Sequence, residues 1–360
     1  MTMGWISTRF ALRDRSVHWP QILARWLDCR VMSPSMSPPF VTLGPWLRRT
    51  FGRGVHRVAL DAGSTCPNRD GTRGFGGCAY CDVEGSGTGA LRSGTELAEQ
   101  LERGIERVRR RDADPGVIAY FQSYSNTYVQ SDRLREVLAV VEPRIADPVV
   151  AVSVATRPDT LSDSALECLG ELAQRVPVWV ELGLEAADDE VLESIHRFHT
   201  VEEFRRAVVR CRAAGLAVIG HAILGLPGDG REGARRTARV LAECAVEGVK
   251  VHNLMVLRRT RFERNWRAGE LAVLDVETYV EWLADFVERL HPGAVLHRLT
   301  GDAPPAQRLA PHWGVHKNEV RERLAAALER RGSRQGSLVK PAPGDGADTR
   351  PSGGAQVPKR

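Results

Sequence analysis

The chain has 360 residues, a formal net charge of +5 and 42% hydrophobic residues, so it is long enough to bury a large core without disulfide staples. It has an odd number of cysteines (seven), no run of 18 apolar residues and no secretory signal pattern at its start. We therefore expect a cytoplasmic protein that does not span a membrane. Clustered thiols in such a protein favour metal binding or catalysis over disulfides.

Residues 1–45 differ in composition from the rest of the chain. They contain "VMSPSMSPPFVTLGP", whose prolines and serines disfavour both helix and strand. This predicts a leader or linker that is disordered, or that is not translated if synthesis begins at Met32 or Met36. The alternative is an amphipathic helix carrying Trp19 and Trp26.

The following organisation is expected for the remainder of the chain. A catalytic core is predicted over residues 46–295, and a C-terminal extension that packs on it over residues 296–330. Residues 331–360 are rich in Gly, Pro and Ser and lack apolar periodicity, so they are predicted to form a disordered tail.

Six short β-rich runs alternate with longer helical patterns in the core. The predicted strands are "HRVALDA" (56–62), "GVIAYFQS" (116–123), "PVVAVSVA" (148–155), "PVWVELGLE" (177–185), "GLAVIGHAILG" (215–225) and "GVKVHNLMVL" (248–257). The predicted helices cover residues 94–111, 131–145, 162–175, 188–214 and 231–247. Several begin at Ser, Thr or Asp, which cap free helical amides. This order predicts parallel strands joined by helical crossovers, in an open α/β sheet or a barrel.

Three cysteines directly follow the first strand, at the end of the sheet where α/β barrels carry their active sites. Cys66, Cys78 and Cys81 have the spacing Cys-x11-Cys-x2-Cys. A structural zinc ion needs four closed ligands, usually as two pairs, and the second pair is missing here. A 4Fe–4S cluster held by three thiolates keeps one iron open to a substrate. Glycines at positions 71, 74, 76 and 77 would let the backbone approach such a cluster closely.

The cysteine loop ends in "CAYC", with Tyr80 between the last two cysteines. In this it resembles the radical S-adenosylmethionine (radical SAM) superfamily, although its first spacing is eleven residues where three is commonest. The longer loop "CPNRDGTRGFGGCAYC" is similar to the YhcC-type subgroup, relatives of the catalytic subunit of Elongator. "YFQSYSNTY", "ELGLEAADDEVLESIHRFHT", "HAILGLPGD" and "LTGDAPPAQRLAPHW" extend the resemblance over roughly residues 46–320.

The resemblance implies a partial (β/α)6 TIM-type barrel with a C-terminal extension. It also implies a 4Fe–4S cluster bound by Cys66, Cys78 and Cys81, and reductive cleavage of SAM to a 5′-deoxyadenosyl radical that takes a hydrogen atom from the substrate. An electron donor of flavodoxin or ferredoxin type would supply the electron. The subgroup further implies modification of the wobble uridine side chain of transfer RNA.

The resemblance also assigns contacts to SAM. Tyr80 is expected near the adenine, and Glu185 near the ribose and sulfonium. The SAM amino group is expected at Gln122, Ser123 and Asn126, and further adenine contacts at Gly225, Leu226 and Pro227. Without the resemblance, the residues after the second and fifth strands would be an ordinary βα loop with a helix cap and a plain β-turn.

Further polar positions concern the barrel interior and its opening. Glu181 shares a strand face with Glu185 and lies deeper in the expected barrel, where a lone buried charge is costly, so it requires a partner. The resemblance implies that residues of the family-like extension line the substrate opening: His297, Arg298, Asp302, Trp313 and Lys317.

Other functions stay open at this point. Arg107, Arg109, Arg110 and Arg111 crowd one helix end, which indicates either an RNA contact or a solvated helix terminus. A radical SAM enzyme acting on a small metabolite or a protein is one alternative. A non-catalytic, zinc-bound RNA-binding or scaffold protein is another.

Overall fold

A computed structural model describes residues 38–82, 90–91 and 93–339 of the chain. Its centre is a seven-stranded sheet in the order β1-β2-β3-β4-β5-β6-β8, in which every neighbouring pair is parallel. The strands are β1 (Val55–Leu60), β2 (Gly116–Phe121), β3 (Val149–Thr156), β4 (Val178–Glu185), β5 (Ala217–Leu224), β6 (Gly248–Asn253) and β8 (Val295–Arg298). A separate antiparallel pair joins β7 (Val256–Leu257) to β9 (Arg308–Ala310).

Helices follow the strands as crossover connections. They are α1 (Leu43–Phe51), α2 (Leu97–Arg109), α3 (Ser131–Ala139), α4 (Asp163–Ala173), α5 (Asp189–Ser194), α6 (Val201–Ala213), α7 (Gly230–Glu243), α8 (Arg261–Arg267), α9 (Val276–Val287) and α10 (Lys317–Arg330). The expected partial TIM-type barrel is confirmed, with one more parallel strand than the six predicted.

The helix predicted over 188–214 is two helices, α5 and α6. His196 and Phe198, in the segment between them, both have a φ of 56°, in the left-handed region that a continuous helix cannot contain. Thr200 then starts α6 through a capping box with Glu203. The chain reversal matters for the site because it brings the segment 195–199 against the cysteine loop.

Strand β4 illustrates how the sheet separates its two faces. Val178, Val180 and Leu182 belong to the large apolar core that the crossover helices cover. The alternate residues face the barrel interior, where Trp179 lies in a second apolar cluster and Glu181 lines a cavity. Successive side chains of a strand point to opposite faces, so one strand contributes to both the core and the site.

Helix α1 closes the amino-terminal end of the barrel. Leu43, Trp46 and Leu47 are buried against inward residues at the strand starts, and the Trp46 ring contacts the Trp179 ring edge-on at 6.1 Å. The expected boundary of the leader at residue 45 is therefore wrong for residues 38–45, because the apolar side chains of this segment pack into the barrel. The rest of the predicted leader lies outside the described residues.

The C-terminal boundaries also differ from expectation. Strand β8 pairs with β6, so the boundary predicted between residues 295 and 296 falls inside a strand of the main sheet. The tail predicted over residues 331–360 is packed as far as residue 339. Gln335 is buried, accepts from Val41 N at 3.0 Å and donates to Ala294 O at 2.7 Å. Residues 340–360 lie outside the described range. Among the helices of the described chain, none has the length and apolar content needed to cross a bilayer.

Candidate active site

The loop that follows β1 is held in shape by its own backbone. Cys66 O accepts from Arg69 N at 2.8 Å, Asn68 O accepts from Gly77 N at 2.8 Å, and Cys78 O accepts from Cys81 N at 3.0 Å. These bonds fold the eleven residues between the first two cysteines back on themselves. The long spacing is therefore compatible with three cysteines at one site.

Gly77 is required by this loop geometry. Its φ is +80°, which side chains rarely adopt, and a Cβ at this position would lie 3.0 Å from the Arg69 guanidinium. That guanidinium occupies the space beside the cysteines. A larger residue at position 77 would displace it.

Side-chain N–H groups surround the sulfurs. Asn68 Nδ2 lies 3.3 Å from Cys78 Sγ, and Arg69 Nη2 lies 3.2 Å from Cys81 Sγ. Asn68 also donates to His196 O at 2.6 Å, which ties the cysteine loop to the reversal after α5. Hydrogen-bond donors around thiolate ligands stabilise their negative charge and tune the metal centre.

The cysteine set fits a 4Fe–4S cluster better than one zinc ion. A zinc ion needs ligands that converge on one point, with sulfurs about 2.3 Å away. Within the described part of the chain, no three His, Cys, Asp or Glu side chains stand close enough to share one ion. A 4Fe–4S cluster takes each thiolate on a separate iron. Burial and then the neighbouring Cys78 raise the pKa of the Cys81 thiol to about 12, so a thiolate there requires a strong positive charge beside it.

The three cysteines line one cavity of about 210 Å³ at the carboxyl ends of the strands. Six of the eleven residues predicted for the site share its wall: Cys66, Cys78, Tyr80, Cys81, Gln122 and Glu185. The loop after β1 and the ends of β2 and β4 therefore contribute together, as the parallel sheet requires.

The other five predicted residues do not line this cavity. Asn126 Nδ2 donates to three backbone carbonyls, of Phe121, Ser123 and Ala155, so its amide braces the ends of β2 and β3. Ser123 is fully buried behind the wall. In the turn after β5, Gly225 and Leu226 pack on apolar neighbours and Pro227 is exposed. The apolar wall is instead provided by Ile223, Leu254, Met255 and Leu257.

Glu185 adopts a backbone conformation that is unusual for a non-glycine residue. Its φ is 67°, and its carboxylate lies 3.5 Å from Arg197, a buried residue of the segment between α5 and α6. Arg197 also donates to Gly183 O at 3.2 Å, in the space that a Cβ on Gly183 would fill. Backbone strain of this kind concentrates at functional sites.

A second buried arginine supports the same wall. Arg157 donates to both carboxylate oxygens of Asp159 at 2.8 Å and to Arg197 O at 2.8 Å. The remaining guanidinium nitrogen of Arg157, Nη1, is buried without a partner among the described residues.

Deeper in the cavity, Glu181 has the partners that its burial requires. Ser153 Oγ donates to it at 2.7 Å, His221 Nε2 lies 3.0 Å away, and the Lys250 ammonium contacts it directly. Burial by itself raises the pKa of Glu181, but Lys250 and His221 outweigh it and hold that pKa well below the usual range. Burial lowers the pKa of Lys250 to about 7.

The sequence reasoning missed four cavity residues of this inner region: Tyr120, His221, Lys250 and His252. A signal was available in "GVKVHNLMVL". Lys250 and His252 alternate with valines along a buried strand, so the two polar side chains share one face and the valines the other. His297 and Arg298 were singled out in advance. Arg298 lines the cavity, and His297 is buried beside Trp179, with ring centroids 5.5 Å apart.

Comparison with known families accounts for most of the chain. The model of the radical SAM superfamily matches residues 65–241, and that of the Radical SAM C-terminal domain matches residues 246–330. The chain belongs to the radical SAM superfamily. The cofactors of this superfamily are a 4Fe–4S cluster and SAM.

The relatives confirm the YhcC-type resemblance. The chain is 38% identical to the uncharacterized protein YtqA of Bacillus subtilis, over 83% of this chain and 92% of YtqA. It is 33% identical to the protein YhcC of Escherichia coli, over 82% of this chain and 94% of YhcC. A more distant relative is the tRNA uridine(34) acetyltransferase of Dehalococcoides mccartyi, 27% identical over 43% of this chain and 34% of that protein.

Among solved structures, the fold is similar to the archaeal Methanocaldococcus infernus Elp3 lacking residues 1–46. The TM-score is 0.61 at 19% identity, covering 79% of this chain and 64% of that chain.

Proposed function

We propose that this radical SAM enzyme cleaves SAM reductively at a 4Fe–4S cluster held by Cys66, Cys78 and Cys81, and that it modifies the side chain of a wobble uridine in tRNA. The observation that carries the proposal is the cysteine pocket. Three thiols, with N–H donors on two of the sulfurs, open onto one cavity at the carboxyl ends of parallel strands. Three ligands keep the cluster open for SAM.

With both cofactors bound, they supply the one-electron chemistry of the superfamily. The chain's own residues bind, orient and exclude water. Asn68 and Arg69 donate toward the sulfurs, and Arg197 joins the cysteine loop to the strained end of β4 through Gly183 and Glu185. The apolar wall of the cavity, formed by Ile223 of β5 and by residues that follow β6, excludes water from the reacting groups, which protects a reactive species from side reactions.

The tRNA part of the proposal is supported by two observations. Three distant relatives have the named activity of tRNA uridine(34) acetyltransferases. In addition, Arg57, Arg107 and Arg111 line a groove of about 670 Å³ beside the edge strand β1. Arginines that line a surface groove are suited to phosphate backbone contacts. The reaction inferred from the subgroup changes a carboxymethylaminomethyl group on the uridine toward the methylaminomethyl form.

The same proposal needs an electron source. We propose a flavodoxin or ferredoxin type of donor and a cytoplasmic location, because a low-potential electron and an oxygen-sensitive cluster belong to a reducing compartment.

Anaerobic reconstitution with iron and sulfide tests the first step. The protein is expected to turn brown and, once reduced, to release 5′-deoxyadenosine from SAM. Cys78→Ala is expected to reduce that release to background, because the cluster loses one of three ligands. The matched control is Cys244→Ala, a half-buried cysteine at the end of α7 away from the cavity, which is expected to release 5′-deoxyadenosine as the wild type does.

Mass analysis of tRNA nucleosides from a deletion strain tests the substrate. Accumulation of the unconverted wobble uridine is expected, and restoration by wild-type protein but not by Cys78→Ala. An unchanged nucleoside profile together with SAM cleavage would move the substrate to a small metabolite or a protein. A colourless protein that holds one zinc ion and leaves SAM intact would contradict the enzyme altogether.

A further inference from the structure

The inner part of the cavity contains more charge than a barrel core requires. Barrel interiors of this type are usually filled by layers of branched apolar side chains. Here Glu181, Lys250 and His252 project inward from β4 and β6, and Arg298 follows from β8. Buried ion pairs seldom stabilise a fold more than apolar residues of the same size do. The polar set therefore requires a functional explanation.

Glu181 and Lys250 satisfy each other. Lys250 also donates to Tyr120 OH at 3.2 Å, and Glu181 accepts from Ser153 and His221, so both groups have several partners. As an ion pair they carry no net charge. The polar groups of this part of the cavity that lack a partner among the described residues lie on β6 and β8.

Arg298 is the uncompensated group. It is half-buried and lines the cavity, and within the described chain its guanidinium forms no hydrogen bond or ion pair. An arginine does not lose its charge under physiological conditions, and its planar fork matches the two oxygens of a carboxylate or phosphate. Its charge lowers the pKa of His252, after the larger effect of burial, which keeps that imidazole neutral. His252 Nε2 is itself buried with no partner among the described residues.

We propose that Arg298 and His252 form an oxyanion subsite at the inner end of the cavity, which binds a carboxylate or phosphate group of the substrate. The inference rests on the proposed function, because it takes the cavity as the place where the substrate meets the cofactors. Arg298 supplies a bidentate, charge-assisted contact and neutral His252 supplies a single N–H donor.

The position of the subsite assigns it to the substrate and not to SAM. The cysteines lie in the loop beyond the carboxyl end of β1, whereas Arg298 pairs in register with Lys250, before the carboxyl end of β6. A molecule held at Arg298 therefore lies deeper in the barrel than the cysteine loop. That arrangement places an anionic group of the substrate at the inner end of the cavity and leaves the rest of the molecule facing the cofactors.

Calorimetric titration of the full-length reconstituted enzyme, saturated with SAM, tests the subsite with malonate and, separately, inorganic phosphate. One equivalent of at least one anion is expected to bind. Arg298→Gln should weaken that binding by about tenfold to a hundredfold, the range expected for lost charge-assisted hydrogen bonds. Binding of malonate alone identifies a carboxylate site, and binding of phosphate alone a phosphate site.

Two variants serve as controls. Arg321→Gln removes the same charge from the exposed face of α10 and should leave anion binding and SAM cleavage unchanged. Arg298→Lys keeps the charge but loses the fork, so an intermediate affinity is expected, and this variant carries the test if Arg298→Gln does not fold. Equal binding by the wild type and Arg298→Gln, or no binding of either anion, would overturn the proposal. A wild-type enzyme that does not cleave SAM would instead contradict the proposed function. The two failures are distinguishable because anion binding can also be titrated without SAM.

Discussion

Two buried ionic groups in this molecule look alike in composition and differ in how completely they are paired. One is the inner cavity group of Glu181, Lys250 and His221. The other joins α7, α9 and the end of α10 around Asp285. Both contain carboxylates that are almost fully buried. Among the residues that the structure describes, only the first group lies beside charged and polar groups that lack partners.

The Asp285 group is closed. Arg231 and Arg235 donate to Asp285 Oδ2 at 2.5 and 2.9 Å, and Arg331 donates to Asp285 Oδ1 at 2.9 Å. Arg331 also reaches Glu288 at 3.2 Å. Each arginine has a carboxylate and each carboxylate has an arginine, which is what a purely structural ionic group needs.

The cavity group is open by contrast. Arg298 lines the cavity without a hydrogen bond or ion pair to any described residue, and His252 Nε2 is buried with no partner among the described residues. A buried donor without a partner costs free energy unless a ligand completes it. The comparison teaches that unpaired donors, more than buried charge itself, distinguish a binding site from a structural contact. Three stability measurements test this distinction.

The largest expected effect comes from breaking the cavity ion pair. Lys250→Met leaves the Glu181 carboxylate buried without its cation, so the free energy of unfolding should fall by about 3–5 kcal/mol. Urea denaturation measures it. The double variant with Glu181→Leu should recover most of the loss, because no lone charge then remains. A single variant as stable as the wild type would show that the pair contributes little.

A smaller effect is expected at Asp285, and it depends on pH. The surrounding arginines outweigh burial and lower the pKa of Asp285 to about 2. Its pKa is lower folded than unfolded, so its stabilisation is full above about pH 4 and disappears as pH falls toward 2. Asp285→Asn should lower the free energy of unfolding by about 1–2 kcal/mol at pH 7 and leave it nearly unchanged near pH 2. The value at pH 7 allows for the screening of these ion pairs by solvent, because the arginines are partly exposed.

The control for that series is Glu277→Gln. Glu277 is an exposed residue of α9 that pairs with Arg323 of α10. This variant should change stability by less than about 0.5 kcal/mol at any pH. If Asp285→Asn lowered the free energy of unfolding as much near pH 2 as at pH 7, the ionised Asp285 carboxylate would not be the cause of the stabilisation.

The smallest effect separates the two groups most directly. Arg331→Gln loses contacts to three carboxylates and should lower the free energy of unfolding by about 1 kcal/mol. Arg298→Gln loses no described contact and should stay within about 0.5 kcal/mol of the wild type. Thermal unfolding of both variants checks the difference. If Arg298→Gln were the more destabilised of the two, its guanidinium would have a structural role.

Much of the fold followed from patterns that act over short distances. Strand alternation, helix caps and the order of elements were sufficient for parallel strands joined by helical crossovers, and the family resemblance selected a barrel over an open sheet. The errors lie at boundaries. The break at His196 and Phe198 was hidden because both flanking segments have helical patterns. The packing of residues 38–45 and 331–339 was missed because these segments become ordered only against the barrel.

For the site, sequence patterns predicted that three cysteines act together, that they follow the first strand and that Glu181 needs a partner. It did not determine that the partner is Lys250, which lies two strands and 69 positions away. Nor did it show that Arg298 and His252 Nε2 lack hydrogen-bond partners among the described residues. Periodicity and capping are local properties of the chain, whereas contacts across a sheet depend on strand order, register and closure, which only the tertiary structure decides.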